Sequence, residues 1–274
     1  MDPPPADRQP TRPVRATQID TSTHAPAPQA VPCQLVVEAP LTVDVQDVAS
    51  YTIMATPTDD AALAVGFLFS EDIIASMDDV LLLQRCEDDP GVIRVRLAGS
   101  AQPGSARRNL VVVSACGLCG SENIDDVIAG LPTVGEQLVV RADVLRMAVE
   151  AMHAQQTLFK QTGGAHAAAL FGADGALVAF AEDIGRHNAL DKVIGQRLLQ
   201  GCPPRGLGVA LSGRVSLEMV AKCARAGIEV IAAVSAPTSL ALQAAERGHI
   251  TLCAFVRANR ATVYCQPQRI LDLP

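Results

Sequence analysis

Two cysteines three positions apart, Cys116 and Cys119 in Cys116-Gly117-Leu118-Cys119-Gly120, are the residues of this sequence best suited to chemistry. The thiolate is the reactive form of cysteine, and a Cys-X-X-Cys pair at a helix entrance has its thiol pKa lowered by exposed N–H groups and the helix dipole. Ser121 is a good N-cap for a helix over 122–129, which puts Cys119 at that entrance. Gly117 and Gly120 leave both sulfurs open. Thiolate exchange, a dithiol redox couple and half of a zinc site all use such a pair.

A second set of candidates is polar or cationic. His166 follows the flexible turn Thr162-Gly163-Gly164, and His187 closes Glu182-Asp183-Ile184-Gly185-Arg186-His187. Each is a candidate for proton movement, the bland alternative being a structural histidine satisfied by one partner. Arg186, Arg214, Arg257 and Arg260 stand at expected strand ends of a chain whose net charge is -7. Four guanidinium groups there form a local anion site suited to bidentate phosphate contacts, unless some of them pair with Glu182, Asp183 or Glu218. Glu182 and Asp183 also read as N-caps of the following helix, and Asp191-Lys192 as a solvated pair on its surface.

The elements that must position these groups follow from pattern. The first 32 residues hold eight prolines with Arg8, Arg12 and Arg15 between them, and read as a disordered Pro-rich tail over 1–32. Strands at 34–37, 41–45 and 51–56, a helix over 61–69 and a hairpin of 80–86 with 92–97 make a small α+β domain over 33–108, with a Gly/Ser/Pro/Arg-rich linker at 98–108. From 109 to 266 the reading is α/β. Strand 109–114, helix 143–158 and the hairpin 165–171 with 176–181 precede helices at 188–199, 216–226 and 239–247 that alternate with strands at 208–212, 228–234 and 250–256. Such alternation predicts parallel strands, and with the hairpin a mixed or parallel sheet with flanking helices. Residues 267–274 read as a tail. Ligands of open α/β sheets sit beyond the carboxyl ends of the strands, so the loops at 115–120, 182–187, 213–214, 235–238 and 257–260 should crowd one edge. A four-residue turn at 172–175 would place His166 opposite Ala181, on that edge.

Bulk properties exclude several classes. No apolar run approaches the about 20 residues of a membrane span, and the tail lacks the pattern of a secretory signal. The acidic balance disfavours non-specific nucleic-acid binding. Eight cysteines with one close pair do not make a disulfide framework and suit a reducing cytoplasm. Cys33, Cys86, Cys202, Cys223, Cys253 and Cys265 read as small apolar residues.

The motifs in order, Glu38-Ala-Pro-Leu41, Ala64-Val-Gly-Phe-Leu-Phe69, Cys116-Gly-Leu-Cys119-Gly120, Thr162-Gly-Gly-Ala-His166, Glu182-Asp-Ile-Gly-Arg-His187 through Lys192, Ser212-Gly-Arg214 and Ser235-Ala-Pro-Thr238, resemble the FdhD family of formate dehydrogenase accessory sulfurtransferases. The resemblance covers nearly everything except the tail. It implies a cytidine-deaminase-like C-terminal domain without zinc, a homodimer, a cysteine desulfurase as sulfur donor and a formate dehydrogenase catalytic subunit as client. It implies further that Cys116 holds a persulfide, that Cys119 supports it, and that Phe255, Val256, Arg257, Ala258, Asn259 and Arg260 meet the guanine dinucleotide form of the molybdenum cofactor, with Arg186, Ser212 and Arg214 nearby. The chain departs from the commonest version in Ser121, in the acidic helix after the loop and in its long Pro-rich start. Rival readings are a chaperone that holds the cofactor without moving sulfur, a zinc hydrolase, and a thiol oxidoreductase. The hydrolase would need an H-x-E motif before P-C-x-x-C, whereas Ala115 precedes Cys116 and no histidine lies between His24 and the loop. The oxidoreductase would need a thioredoxin-like βαβ setting.

Overall fold

The structure, a computed structural model, describes residues 8–22, 28–99, 110–112 and 124–272. Its first elements are β1 (Thr11–Gln18), β2 (Gln29–Val36), β3 (Ala39–Val45), β4 (Ala49–Ala55), α1 (Asp60–Ser70), β5 (Val80–Arg85), β6 (Val92–Leu97) and β7 (Leu110–Val112). A middle run follows: α2 (Ile124–Ala129), β8 (Val140–Arg141), α3 (Ala142–Gln155), α4 (Thr157–Thr162), β9 (His166–Phe171), β10 (Leu177–Asp183) and α5 (Arg186–Leu199). The chain then continues through β11 (Gly208–Leu211), α6 (Leu217–Ala226), β12 (Val230–Ala233), α7 (Ser239–Gly248), β13 (Thr251–Arg257), β14 (Arg260–Cys265) and β15 (Ile270–Leu271).

The larger sheet has the order β10-β9-β11-β12-β13-β14. Only β11, β12 and β13 run parallel; the hairpins β9–β10 and β13–β14 add antiparallel edges, so the sheet is mixed rather than parallel throughout. Its faces can be read from the alternation of buried residues. Ala167, Ala169, Phe171, Ala210 and Ala232 pack with Val144, Leu145, Ala148 and Met152 of α3. Ala168, Leu170, Leu211 and Ala233 turn the other way, into a core shared with α5, α6 and α7. Full burial of each Leu or Val is worth about 1.5–3 kcal/mol, so both faces are strongly covered.

The smaller sheet, in the order β5-β6-β3-β4-β7, buries Leu41, Val43, Val45, Tyr51 and Ile53 in that same shared core. The two units expected from sequence therefore do not have separate interiors. Helix α1 lies directly on α5: a Cβ added at Gly66 would stand 1.8 Å from the Asp191 carbonyl oxygen, and one at Gly195 would stand 1.9 Å from that of Ala62. Glycine is required at both positions because backbone meets backbone there.

Four expectations need correction. The segment 1–32 contains β1, which forms a hairpin with β2, and Arg8 is buried against the Asp60 carboxylate; Pro13 and Pro32 lie within this two-stranded ladder, an edge setting that tolerates proline. Strand β7 pairs in parallel with β4, so it belongs to the smaller sheet and not to the unit after residue 108. The final residues are not a tail: β15 pairs with β8, and Arg269, 2% exposed, donates to the His249 and Gly135 carbonyls. In the β9–β10 hairpin a bulge between Leu177 and Ala179 shifts the register, so that His166 faces Asp183 and Ala181 faces Ala168. Among the described residues no helix is long and apolar enough to cross a membrane.

Candidate functional site

Cys116, Cys119 and Ser121 lie outside the described residues. What is described is the frame from which the chain sets out toward them. Val112 of β7 pairs with Ile53 of β4, and the two strands run parallel. Just past the end of β4, the Thr56 N–H donates to Asp183 (3.1 Å), and the Thr56 hydroxyl accepts from the Ile184 N–H (3.1 Å). The chain thus leaves β7 at the end of the smaller sheet that is stapled to the start of α5.

That staple is built from charge. Asp183 and Lys192, both fully buried, pair at 2.7 Å. Asp183 also accepts from the Gly185 N–H (2.8 Å) and the Asn188 amide (2.9 Å), while Lys192 donates to the Thr56 carbonyl and the Thr58 hydroxyl at 3.0 Å. A buried ion pair holds only when its remaining donors and acceptors are met, and here they are. Asp191 and Lys192 do not form the solvated pair suggested by their adjacency. Lys192 serves Asp183, whereas Asp191 accepts from Lys222 of α6 (2.9 Å) and from Ser70 at the end of α1 (2.7 Å). At Asp191 burial pushes the pKa up, against the pair; at Lys222 burial pulls down but Asp191 and Glu71 overcome it and the ammonium is held above its usual range. The convergence of two donors on Asp191 favours the ionised pair. Glu182 likewise caps a helix, but the preceding one: the Leu158 and Phe159 N–H groups of α4 donate to it at 2.8 Å each.

Around this staple the structure gathers part of the expected site. His166, at the start of β9, has Nδ1 3.5 Å from the Ser212 hydroxyl, which also accepts from the Ala167 N–H (2.8 Å). The backbone of Gly213 passes so close to His166 Nδ1 and the Arg186 chain that an added Cβ would touch both, at 3.3 and 3.4 Å. Burial, then Arg186, lowers the His166 pKa, with a smaller push from Arg214. His187 is deeper: burial, then Arg186, takes it down to about 3, so its imidazole is neutral at physiological pH. Its Nε2 lies 3.1 Å from Glu218 Oε2 in α6, without the alignment of a hydrogen bond. Burial raises Glu218 to about 7.

Phe255 to Arg260 is not with this group. These residues form the tip of the β13–β14 hairpin, two strands along from β11, a separation of about 10 Å at ordinary strand spacing. Arg257, Ala258, Asn259 and Arg260 are exposed; Phe255 has a left-handed backbone (φ 51°) at the bulge, and Val256, 1% exposed, is core. Val256 is a floor residue for an adjoining cavity of about 420 Å³ on the α3 side, walled by Arg146, Glu150, His153 and Arg257. The expected anion-binding arginines are therefore divided: Arg186 and Arg214 flank His166, near the α5 and α6 N-termini, while Arg257 and Arg260 sit at the hairpin. Among the described residues none of the four is within ion-pair distance of a carboxylate, so the salt-bridge alternative does not hold for them. Sequence reasoning missed Lys222 and Glu71, and it gave Glu218 only as an arginine partner. The recurrence of Glu218 and Lys222 one helical turn apart, just after Ser212-Gly-Arg214, was the available signal. Among the described residues no group of three or more potential ligands is placed to hold a metal ion.

The model of the FdhD/NarQ family matches residues 36–271. The sulfur carrier protein FdhD of Anaeromyxobacter dehalogenans is 41% identical over 258 residues, covering 88% of this chain and 90% of that protein. Its namesake in Mycobacterium tuberculosis is 39% identical over 264 residues, covering 90% and 96%. The crystal structure of a putative formate dehydrogenase accessory protein from Desulfotalea psychrophila superposes with a TM-score of 0.75 at 27% identity, covering 95% of this chain and 99% of that one.

Proposed function

This chain belongs to the FdhD/NarQ family, and on that footing we propose that it is a sulfur carrier in the maturation of a formate dehydrogenase. The Cys116 thiolate attacks the outer sulfur of a persulfide on a cysteine desulfurase; the S–S bond to the donor cysteine breaks, and the donor leaves as a thiolate. The Cys119 thiolate then attacks the Cys116 sulfur; the S–S bond to the outer sulfur breaks, a Cys116–Cys119 disulfide forms, and the outer sulfur leaves as sulfide to the molybdenum of a bis-molybdopterin guanine dinucleotide, the cargo of the reaction, whose pyrophosphates Arg186 and Arg214 recognise, with the Phe255–Arg260 hairpin tip meeting the guanine end. Cys119 supports the exchange, and His166, half-buried, is the candidate for moving its proton. The work is done in the cytoplasm by a homodimer.

The observation that carries this reading is a convergence. Two arginines that have no carboxylate partner among the described residues and a half-buried histidine flank the start of α5, the point to which β4, the partner of the strand leading to Cys116, is stapled through Thr56 and Asp183. The test is reconstitution. Apo formate dehydrogenase matured with this protein, a desulfurase and cysteine is expected to gain activity, and with Cys116→Ala to gain none. Full activity with the variant would refute the carrier role, and loss of cofactor binding by the variant would favour a cofactor chaperone instead.

A further inference from the structure

Glu218 is an anomaly among the buried carboxylates of this edge. Asp183, Asp191 and Glu182 are each held by two or more donors. Glu218, in the first turn of α6 with its side chain 12% exposed, has the His187 edge 3.1 Å away but misaligned, and no donor among the described residues closes on it as donors close on the others. Among the described residues its Oε1 has no hydrogen-bond partner, nor do the Arg186 Nε and the hydroxyl of Ser216, which opens α6. A carboxylate so placed depends on surrounding charge for its ionised form.

The charges that face it come from every neighbouring element. Arg186, His187 and Asp191 belong to α5, Lys222 to the next turn of α6 and Glu71 to the end of α1; His166 of β9 in turn faces His187, and Arg214 of the loop before α6 faces His166. Lys222 is already matched by Asp191 and Glu71, with which it pairs at 2.9 and 3.2 Å. His187 is neutral. Arg186, which has no carboxylate partner among the described residues, is thus the remaining cation supporting a negative Glu218. An anion that takes the Arg186 guanidinium removes that support, and the carboxyl must take a proton or be left as an uncompensated buried charge.

We propose that Glu218 makes anion binding at the Arg186–Arg214 edge proton-linked: a phosphate-bearing ligand binds there together with one proton, taken up by Glu218. The inference rests on the reading that a pyrophosphate occupies this edge, and it adds that the affinity is set by pH through a residue that does not touch the ligand. Because the Glu218 carboxyl sits at about 7, the linkage falls in the physiological range. Glu218 is a positioning residue in this sense, holding or releasing the charge that competes with the ligand for Arg186.

Guanosine diphosphate mannose is a suitable probe, since it has no phosphate monoester and keeps a constant charge where a terminal phosphate would titrate. Its affinity for the full chain, measured by calorimetry, is expected to weaken about tenfold from pH 6 to pH 8, and binding at pH 8 should take up about one proton, read from buffers of different ionisation enthalpy. With Glu218→Gln the affinity should be flat across that range and the uptake should vanish. His166, held below its ordinary 6.5, contributes only at the acid end, so His166→Gln should keep the slope. Should Glu218→Gln not fold, uptake by the wild-type chain decides. Binding that is independent of pH, or a slope unchanged in Glu218→Gln, would overturn the linkage alone. No binding at any pH would overturn the linkage and the pyrophosphate reading with it.

Discussion

The contact between α1 and α5 makes a quantitative demand on Gly195. Replacement by alanine places a methyl carbon 1.9 Å from the Ala62 carbonyl oxygen and 2.8 Å from the Gly66 nitrogen. Ordinary contact begins at 3.4 Å, so the two helices must move apart by about 1.5 Å along a line of backbone atoms in an interior that is already close-packed. No side chain can rotate away to relieve this. Helix propensity alone would make Gly195→Ala stabilising by about 1 kcal/mol, whereas overpacking against rigid backbone costs about 1–3 kcal/mol and occasionally more. Against rigid backbone the cost lies at the upper end of that range, so the steric effect wins and a net loss of about 2 kcal/mol follows. For a chain of this size that lowers the melting temperature by about 4–8 °C. Thermal unfolding followed by circular dichroism, with Gly99→Ala as a control whose added Cβ meets nothing within 4 Å, checks it. A Gly195→Ala protein as stable as the wild type would show that α1 does not lie on α5 as described, and that the two units are not fused through this crossing.

Two further outcomes follow from the buried charges. Lys222→Met leaves Asp191 buried without its cation and should cost about 3–5 kcal/mol in urea unfolding, part of which returns in Asp191→Leu with Lys222→Met, when both charges are gone. Glu218 has a folded-state pKa of about 7, raised from 4.5, so the folded chain binds its proton more tightly than the unfolded one and stability falls as pH rises through that window. Glu218→Gln should therefore gain stability relative to the wild type between about pH 4.5 and pH 7, by about 3 kcal/mol in total, and hold that advantage above pH 7. His187 moves the opposite way, since a pKa lowered from 6.5 to about 3 makes stability rise with pH over that range, but it is present in both proteins. Stability curves of the two proteins that run parallel in pH would contradict the placement of Glu218.

Much of this architecture was legible in the residues. The periodicity of 61–69, the alternation of 41–45 and the helix–strand order after 208 each correspond to an observed element, because these segments carry strong apolar patterns. The edge rule brought His166, Arg186, Ser212 and Arg214 together, since all follow or face the ends of β9, β10 and β11. Pairing was less legible. Nothing local distinguishes β7 as a partner of β4 from a strand of the larger sheet, nor β14 from a loop, because strand order is set by long-range packing. The bulge at Leu177–Ala179 cannot be read from a turn length, and it moved His166 from Ala181 to Asp183. Proline misled at 1–32, where composition suggested a chain too polar to order, while Arg8 in fact closes on Asp60. The charge networks were hidden for a simple reason: Asp183, Asp191, Lys192 and Lys222 look like surface residues in one dimension, and only the approach of α1, α5 and α6 buries them.

The central claim, that Cys116 carries the sulfur, is tested most directly by mass spectrometry of the Cys116–Cys119 peptide after the protein has been incubated with a cysteine desulfurase and cysteine. The account predicts one added sulfur on Cys116, absent from Cys116→Ala and removed by a thiol reductant. A peptide that gains no sulfur while the desulfurase is active, or an added sulfur that persists on the chain in Cys116→Ala, would contradict it.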